Sequence, residues 1–448
     1  MSESATTLRV SSRCTEWRAG SFSRELGVVT TPCNLRLQVF GGGRHRPNLR
    51  LFAVSRRPSV VFIFTVTLTG ILNNTLVTPA IPDILAEFSV GSNRSGILVA
   101  AGSTAGIIVA PIVGILADRY GRRVVLTTCL AIFGTFGGLA ALAPSFEVLL
   151  ISRLLQGVGS AGLINLAVVL IGDHWSGSDR THVIGRNTAV LTVGLAALPL
   201  LSGTVTELAG WRVAFGIYTV ALLTAGLAWR VLDAGRPSDA PGVADQIRDA
   251  VVVLRRPLLM ATISTGFLVF MAIFGLFLTV VPVHLAEVFG MKAGARGVLI
   301  SLPAITSTLV AFNLGRITAR VSARTIVIMS AIGLGLAFIG LGAAGAIAVL
   351  VVATLIYGAS EGALIPMLQD LNIAAAPDES RAAVIAVWVS FARLGQTIGP
   401  LIAGVLLGFL STGSTLALGA VVAGVILLLG LIGPFPRAGT EPVAAHTG

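Results

Sequence analysis

The stretch GILADRYGRR (114–123) sets one Asp, three Arg and a turn-forming Gly at the mouth of an apolar run that begins near Gly96. The rest of the chain is poor in charge. Of its 448 residues, 54% are hydrophobic and 11% charged, against about 25% charged in soluble domains. So few charges cannot cover a water-facing surface, so lipid must cover much of it. In such a chain GILADRYGRR reads as a polar turn between two membrane spans.

Working outward, apolar runs of about 20 residues recur, each long enough to cross a hydrocarbon core. Twelve are present: 59–82, 96–117, 124–143, 147–171, 183–205, 212–232, 258–284, 297–315, 325–345, 347–369, 382–410 and 416–435. Backbone polar groups in lipid must be satisfied internally, which calls for helices. A β-barrel would show short alternating segments instead. The expected fold class is an all-α polytopic membrane protein with twelve transmembrane helices. Lys and Arg set its orientation. The side that carries both termini holds 25 Arg, and the other holds Arg94, Arg212, Lys292 and Arg296. This bias places the termini in the cytoplasm. The net charge of +11 therefore reads as topology, with no nucleic-acid partner.

The segment 1–58 has ten Arg, no Lys and no apolar core of a signal peptide. It reads as a disordered cytoplasmic tail, a transit peptide or an over-extended start. The longest polar connection, 235–257, contains Pro237 and Pro241 and a charged stretch at 245–256 expected to be helical. It divides the spans into halves 59–234 and 258–435, followed by a cytoplasmic tail 436–448. Cys14, Cys33 and Cys129 show no metal spacing, and no cofactor is implied. Thirty Arg against one Lys point to a GC-rich genome and a bacterial inner membrane.

One offset recurs between the halves. Adding 201 takes Gly114, Arg119 and Arg123 to Gly315, Arg320 and Arg324, where the sequence reads GRITARVSAR with Ala319 replacing Asp118. The same offset takes Gly194, Pro199 and Gly203 to Gly395, Pro400 and Gly404. Two motifs with one offset indicate two pseudo-symmetric six-helix halves, an arrangement with a site between them at mid-membrane.

The opening stretch, with Gly114, Asp118, Arg119, Gly121, Arg122 and Arg123, resembles the loop between helices two and three of the Major Facilitator Superfamily. The resemblance extends over roughly 59–435. It implies the twelve-helix fold of that family and a cytoplasmic latch between halves that is made and broken during transport. Gly121 would supply a positive φ. RLLQGVG (153–159) resembles the family's fourth-helix motif, with Arg153 and Gln156. GLAALPLLSG (194–203) and GQTIGPLIAG (395–404) resemble the fifth-helix signature of antiporters, the second copy more closely. Leu198 and Ser202 depart from it in the first. Pro199, Gly395, Gly399, Pro400 and Gly404 are expected to bend helices and permit close contact. Trp211-Arg212 also fits the family.

A charge inside a span should face a wet cavity or a partner. Arg153 is therefore assigned to a substrate cavity with Asn73, Asn74, Gln156 and Tyr357. Glu361, on the tenth span, and Arg393, on the eleventh, are estimated at depths of roughly 12 and 16 Å from the same side, near enough to pair. With Asp83 they are the candidates for proton coupling. GVGSAG (157–162) matches a dinucleotide pattern, but no strand precedes it and it lies inside an apolar helix. GASEG (358–362) spells a hydrolase motif without the strand-turn-helix it needs. Small residues at 157–162 serve helix packing instead.

The function expected is secondary transport, resembling the drug/proton antiporter branch: proton-coupled export of a small amphipathic molecule by a monomer in the bilayer. Proton-coupled uptake of a small metabolite is the alternative, kept open by Leu198 and Ser202. A polytopic enzyme would need a catalytic constellation in the spans, and none is seen. ATP-driven transport would need a Walker A sequence, and none occurs.

Overall fold

Each apolar run folds as a helix, and the boundaries fall within a few residues of those expected. The computed structural model describes residues 28–30, 35–38, 50–53, 57–233, 256–376 and 381–437. The helices are α1 (Val60–Glu87), α2 (Ser95–Tyr120), α3 (Arg122–Ala140), α4 (Phe146–His174), α5 (Gly177–Ala209) and α6 (Trp211–Val231) in the first half. The second half has α7 (Pro257–Glu287), α8 (Ala293–Thr318), α9 (Ala323–Ala343), α10 (Ile347–Ala375), α11 (Arg381–Leu407) and α12 (Thr412–Ile432). Within the first 57 residues, strands β1 (Val28–Thr30), β2 (Leu35–Gln38) and β3 (Arg50–Ala53) pair antiparallel in that order. Most of 235–257, with its expected helical stretch, and the tail beyond Arg437 lie outside the described residues.

Serines open several of the helices. The hydroxyls of Ser59, Ser145, Ser322 and Ser411 accept from the backbone N–H of Val61, Val148, Thr325 and Ser414. Each meets a donor that the first helical turn leaves free. Gly121 separates α2 from α3 at φ 89°, as expected, and Gly210 separates α5 from α6 at φ 87°. A side chain at either position would sit in the left-handed region.

The first helix of each half is irregular at an equivalent level. α1 leaves its regular turns after Thr75, tightens into a 3-10 turn at Thr78–Ala80 and resumes at Ile81. α7 widens into a π segment over Ile273–Val280, and the 201 offset maps that segment onto 72–79. α2 bends by 52° between Ala110 and Ile112. The bend falls at the one proline of this helix in the sequence, a residue without a backbone N–H to donate to the preceding turn.

Each half buries its own apolar cluster, one around Phe133, Phe215 and Leu126, the other around Phe277, Phe338 and Leu350. Lipid tails are as apolar as Leu, so helices in a membrane associate through close fit. The glycines at 157–162 supply that fit. A Cβ on Gly157 would stand 2.8 Å from the Gly102 carbonyl, and one on Gly159 would overlap the Phe133 backbone.

Candidate functional site

Inside the first half, Arg153 is fully buried among α1, α4 and α6. Its Nη2 donates to the Asn73 carbonyl at 2.7 Å, and Nη1 donates to Gln156 Oε1 at 2.7 Å and to the Tyr218 hydroxyl at 3.3 Å. The Tyr218 hydroxyl donates to the same Asn73 carbonyl at 3.1 Å. Asn73 Nδ2 donates to the Gly102 carbonyl at 2.9 Å. No carboxylate pairs with Arg153 among the described residues. The guanidinium is neutralised only by dipoles, and its bonds pin α1 where that helix becomes irregular.

This corrects the cavity assignment. Arg153 and Gln156 are 0% exposed and Asn73 is 4% exposed, so in this conformation they bind one another rather than line an open space. Asn74 is half-buried, and its side-chain oxygen has no hydrogen-bond partner. Tyr357 is also buried. Its ring stacks on Phe277 at 4.2 Å between centroids and meets Phe338 edge-on at 5.7 Å. The 201 offset maps Gln156 onto Tyr357, so an aromatic stack replaces the polar cluster in the second half.

Glu361 is the middle residue of α10, 14 residues from Ile347 and 14 from Ala375. At 1.5 Å per residue it lies about 21 Å from either helix end, deeper than the sequence estimate because α10 runs on past Gln369. It is half-buried and shares a helix face with Tyr357, one turn away. The Tyr357 hydroxyl interacts electrostatically with it but makes no well-aligned hydrogen bond. Gly358 and Gly362 draw α10 onto α8, where added Cβ atoms would press on Thr306 and Ser307.

The expected pairing of Glu361 with Arg393 does not occur. Arg393 crosses to the first half, where Nη2 donates to the Ala161 carbonyl at 3.3 Å. A Cβ on Gly106 would stand 3.1 Å from its Nη1. Similar depth brought the two residues level, but the rotation of each helix about its axis points them at different neighbours.

Asp83, the third candidate for proton coupling, lies near the end of α1. It forms an ion pair with Arg296 at the start of α8. Arg296 is buried and also donates to the carbonyls of Pro79 at 3.0 Å and Met291 at 2.8 Å. Nearby, the Gly294 N–H donates to Glu207 Oε2 at 2.9 Å. These bonds join the halves at one end of the bundle. Sequence reasoning treated Arg296 as a loop charge, because it lies one residue outside the apolar run.

The fifth-helix signatures close the same end. Gly96 on α2 abuts the Pro400 carbonyl and Gly404 on α11, while Gly297 on α8 abuts the Pro199 carbonyl and Gly203 on α5. The offset of 201 carries each contact into the other. α5 and α11 remain continuous through their prolines. The signature residues here serve close approach: a Cβ on Gly395 would stand 3.0 Å from the Met271 amide nitrogen, and one on Gly399 would stand 2.9 Å from Met271 Cα. Ser202, which departs from the signature, donates to the Leu76 carbonyl at 2.5 Å, again at the irregular level of α1.

At the opposite end, among the described residues, the ion pairs and ring contacts of GILADRYGRR lie within its own half. Arg122 bridges Asp118 at 2.5 Å and Asp173 at 3.2 Å. Arg123 lies 4.0 Å over the Trp229 ring, and Arg119 is exposed. Gly114 and its mate Gly315 have nothing within 4 Å of an added Cβ. Among the described residues, every hydrogen bond between the halves lies at the level of Arg393 or toward the Arg296 end.

Two like six-helix halves, joined at one end and without hydrogen bonds between them at the other among the described residues, form an arrangement that secondary transporters use. The profile of the Major Facilitator Superfamily matches residues 63–371 and 274–446, and the chain belongs to that family. It is 26% identical over 355 residues to the bacillibactin exporter of Bacillus subtilis, covering 76% of this chain and 88% of that protein. It is also 26% identical to the hexuronate transporter of Bacillus subtilis, over 41% of this chain and 42% of that one. A bacterial homolog of the human lysosomal transporter Spinster, in an inward-facing and occupied conformation, superposes with a TM-score of 0.66 at 17% identity, covering 83% of this chain and 94% of that one. The chain is a membrane transporter of small molecules and not an enzyme.

Proposed function

We propose that the chain exports a small amphipathic molecule in exchange for protons, with Glu361 carrying the proton. The observation behind this reading is that Glu361 stands at the centre of α10, half-buried, with no cation within ion-pair distance among the described residues. A carboxylate is costly in lipid and is retained there for function. Without a fixed counter-charge it takes up a proton when water is excluded and releases it when the site meets solvent. Alternating access would expose the same group to each side in turn.

The bias of Lys and Arg supports a cytoplasmic location for GILADRYGRR and for both termini. In that orientation this conformation is closed to the outside at Arg296 and would admit a substrate from the cytoplasm. The long match to an exporter supports the direction. Proton flux in inside-out vesicles, across a panel of amphipathic compounds, tests the reading. Substrate-driven proton release that disappears in Glu361→Gln is the expected result. Unchanged flux in that variant would move coupling elsewhere, and proton movement in the same direction as substrate would indicate uptake symport.

A further inference from the structure

We propose that Arg393 binds an anionic head group, a carboxylate or similar monoanion, on the transported molecule. The proposal rests on the transport reading above and adds the chemical class of the substrate. Arg393 lies 12 residues from Arg381 and 14 from Leu407, about 18 Å from the nearer helix end. That is too far for its head to reach the membrane surface. Its side chain points between the halves, onto Ala161 and the bare backbone at Gly106. It is half-buried rather than sealed.

Three arginines are set into the helix bundle, and two of them are occupied. Arg153 is sealed by Asn73, Gln156 and Tyr218, and Arg296 by Pro79, Met291 and Asp83. Among the described residues Arg393 makes a single side-chain hydrogen bond, to a carbonyl at 3.3 Å. A guanidinium offers five donors in a planar fork. No carboxylate lies within 4.0 Å of Arg393 among the described residues, and the nearest acid by depth, Glu361, makes no ion pair with it. A cation held in low dielectric without an anion is costly. An anionic ligand that reaches Arg393 from between the halves would remove that cost, and a carboxylate matches the fork in bidentate geometry. Gly106 has a part in this, because its missing Cβ makes room for the Arg393 side chain against α2.

Head-group preference tests the proposal. The full chain in nanodiscs is titrated, at one pH and without a gradient, with matched carboxylates, carboxamides and amines built on naphthalene and biphenyl. Carboxylates are expected to bind at least about tenfold more tightly than their amides, the effect of one charge-assisted pair. Arg393→Gln is expected to bring that ratio to near one while leaving the unliganded melting temperature nearly unchanged. Arg393→Lys, which keeps the charge, is expected to retain part of the preference. Tighter binding of amines, no carboxylate binding, or an unchanged ratio in Arg393→Gln would overturn the proposal. Because no gradient is present, Glu361→Gln should keep the carboxylate preference. Failure of the coupling reading and failure of this one therefore show up in different variants.

Discussion

The two halves share a fold and an offset but solve the middle of the membrane differently. The first half fills the level of Arg153 with a sealed polar cluster that ties α1, α4 and α6 together. The second half fills the equivalent level with the Phe277–Tyr357–Phe338 stack and leaves Glu361 half-buried beside it. At the repeat positions, Arg153 corresponds to Thr354 and Ser160 to Glu361. At this level the polar groups of the first half hold helices together, while Glu361 in the second has no ion-pair partner among the described residues. A transporter needs both, a rigid body to move and a group that changes state. With the coupling role proposed for Glu361, the division of labour would follow the repeat boundary.

That contrast can be broken. Arg153→Ala should cost the most. It strips the Asn73 carbonyl, Gln156 and Tyr218 of a buried donor, at about 3 kcal/mol or more, and should abolish transport. Thr354→Ala removes only a hydroxyl that bonds to its own helix at Leu350, and should cost below about 1 kcal/mol. Thermal unfolding in detergent compares the two. Equal losses would mean that the polar cluster is not what sets the halves apart.

The next effect concerns the end where the halves meet. Gly96→Ala and Gly297→Ala each drive a Cβ into a facing proline carbonyl, at Pro400 and Pro199. Both should favour the state open at the Arg296 end, and by similar amounts because the contacts are repeat mates. Spin-label distances across that end would read the shift. A response from only one of the pair would show that the symmetry of the contact is not functional.

Smaller changes sharpen the picture. Arg296→Ala leaves Asp83 unpaired and frees two backbone carbonyls, so it should weaken closure more than Asp83→Asn does. The Asp83 carboxylate is 41% exposed, and water screens much of its loss, leaving roughly 1 kcal/mol or less. Cross-linking rates at the same end should rank the variants in that order. Gly106→Ala should have the smallest effect, a few-fold loss of carboxylate affinity in the nanodisc titration with no change for amides.

Much of the architecture was legible in the sequence. Span number and the halves follow from run length and the 201 offset, because lipid imposes length and backbone satisfaction directly. The positive φ at Gly121 was legible as a tight turn between two spans, where glycine adopts that backbone conformation without strain. What was not legible is rotation about each helix axis. Depth placed Glu361 and Arg393 level, yet Arg393 points at Ala161. Arg153 looked like a cavity residue because a lone charge in an apolar run says nothing of nearby carbonyls. Arg296 was passed over because a charge beside a span reads as an anchor. Ser202 looked like decay of a signature until its bond to Leu76 gave it a use.

The central claim is that Glu361 couples substrate movement to protons without being needed to bind the substrate. Exchange and gradient-driven transport, measured side by side in proteoliposomes with Glu361→Gln, test it most directly. The account predicts that the variant still exchanges labelled for unlabelled substrate at a rate near wild type, while gradient-driven accumulation falls to background. Accumulation that survives in the variant, or exchange lost together with it, would contradict the claim.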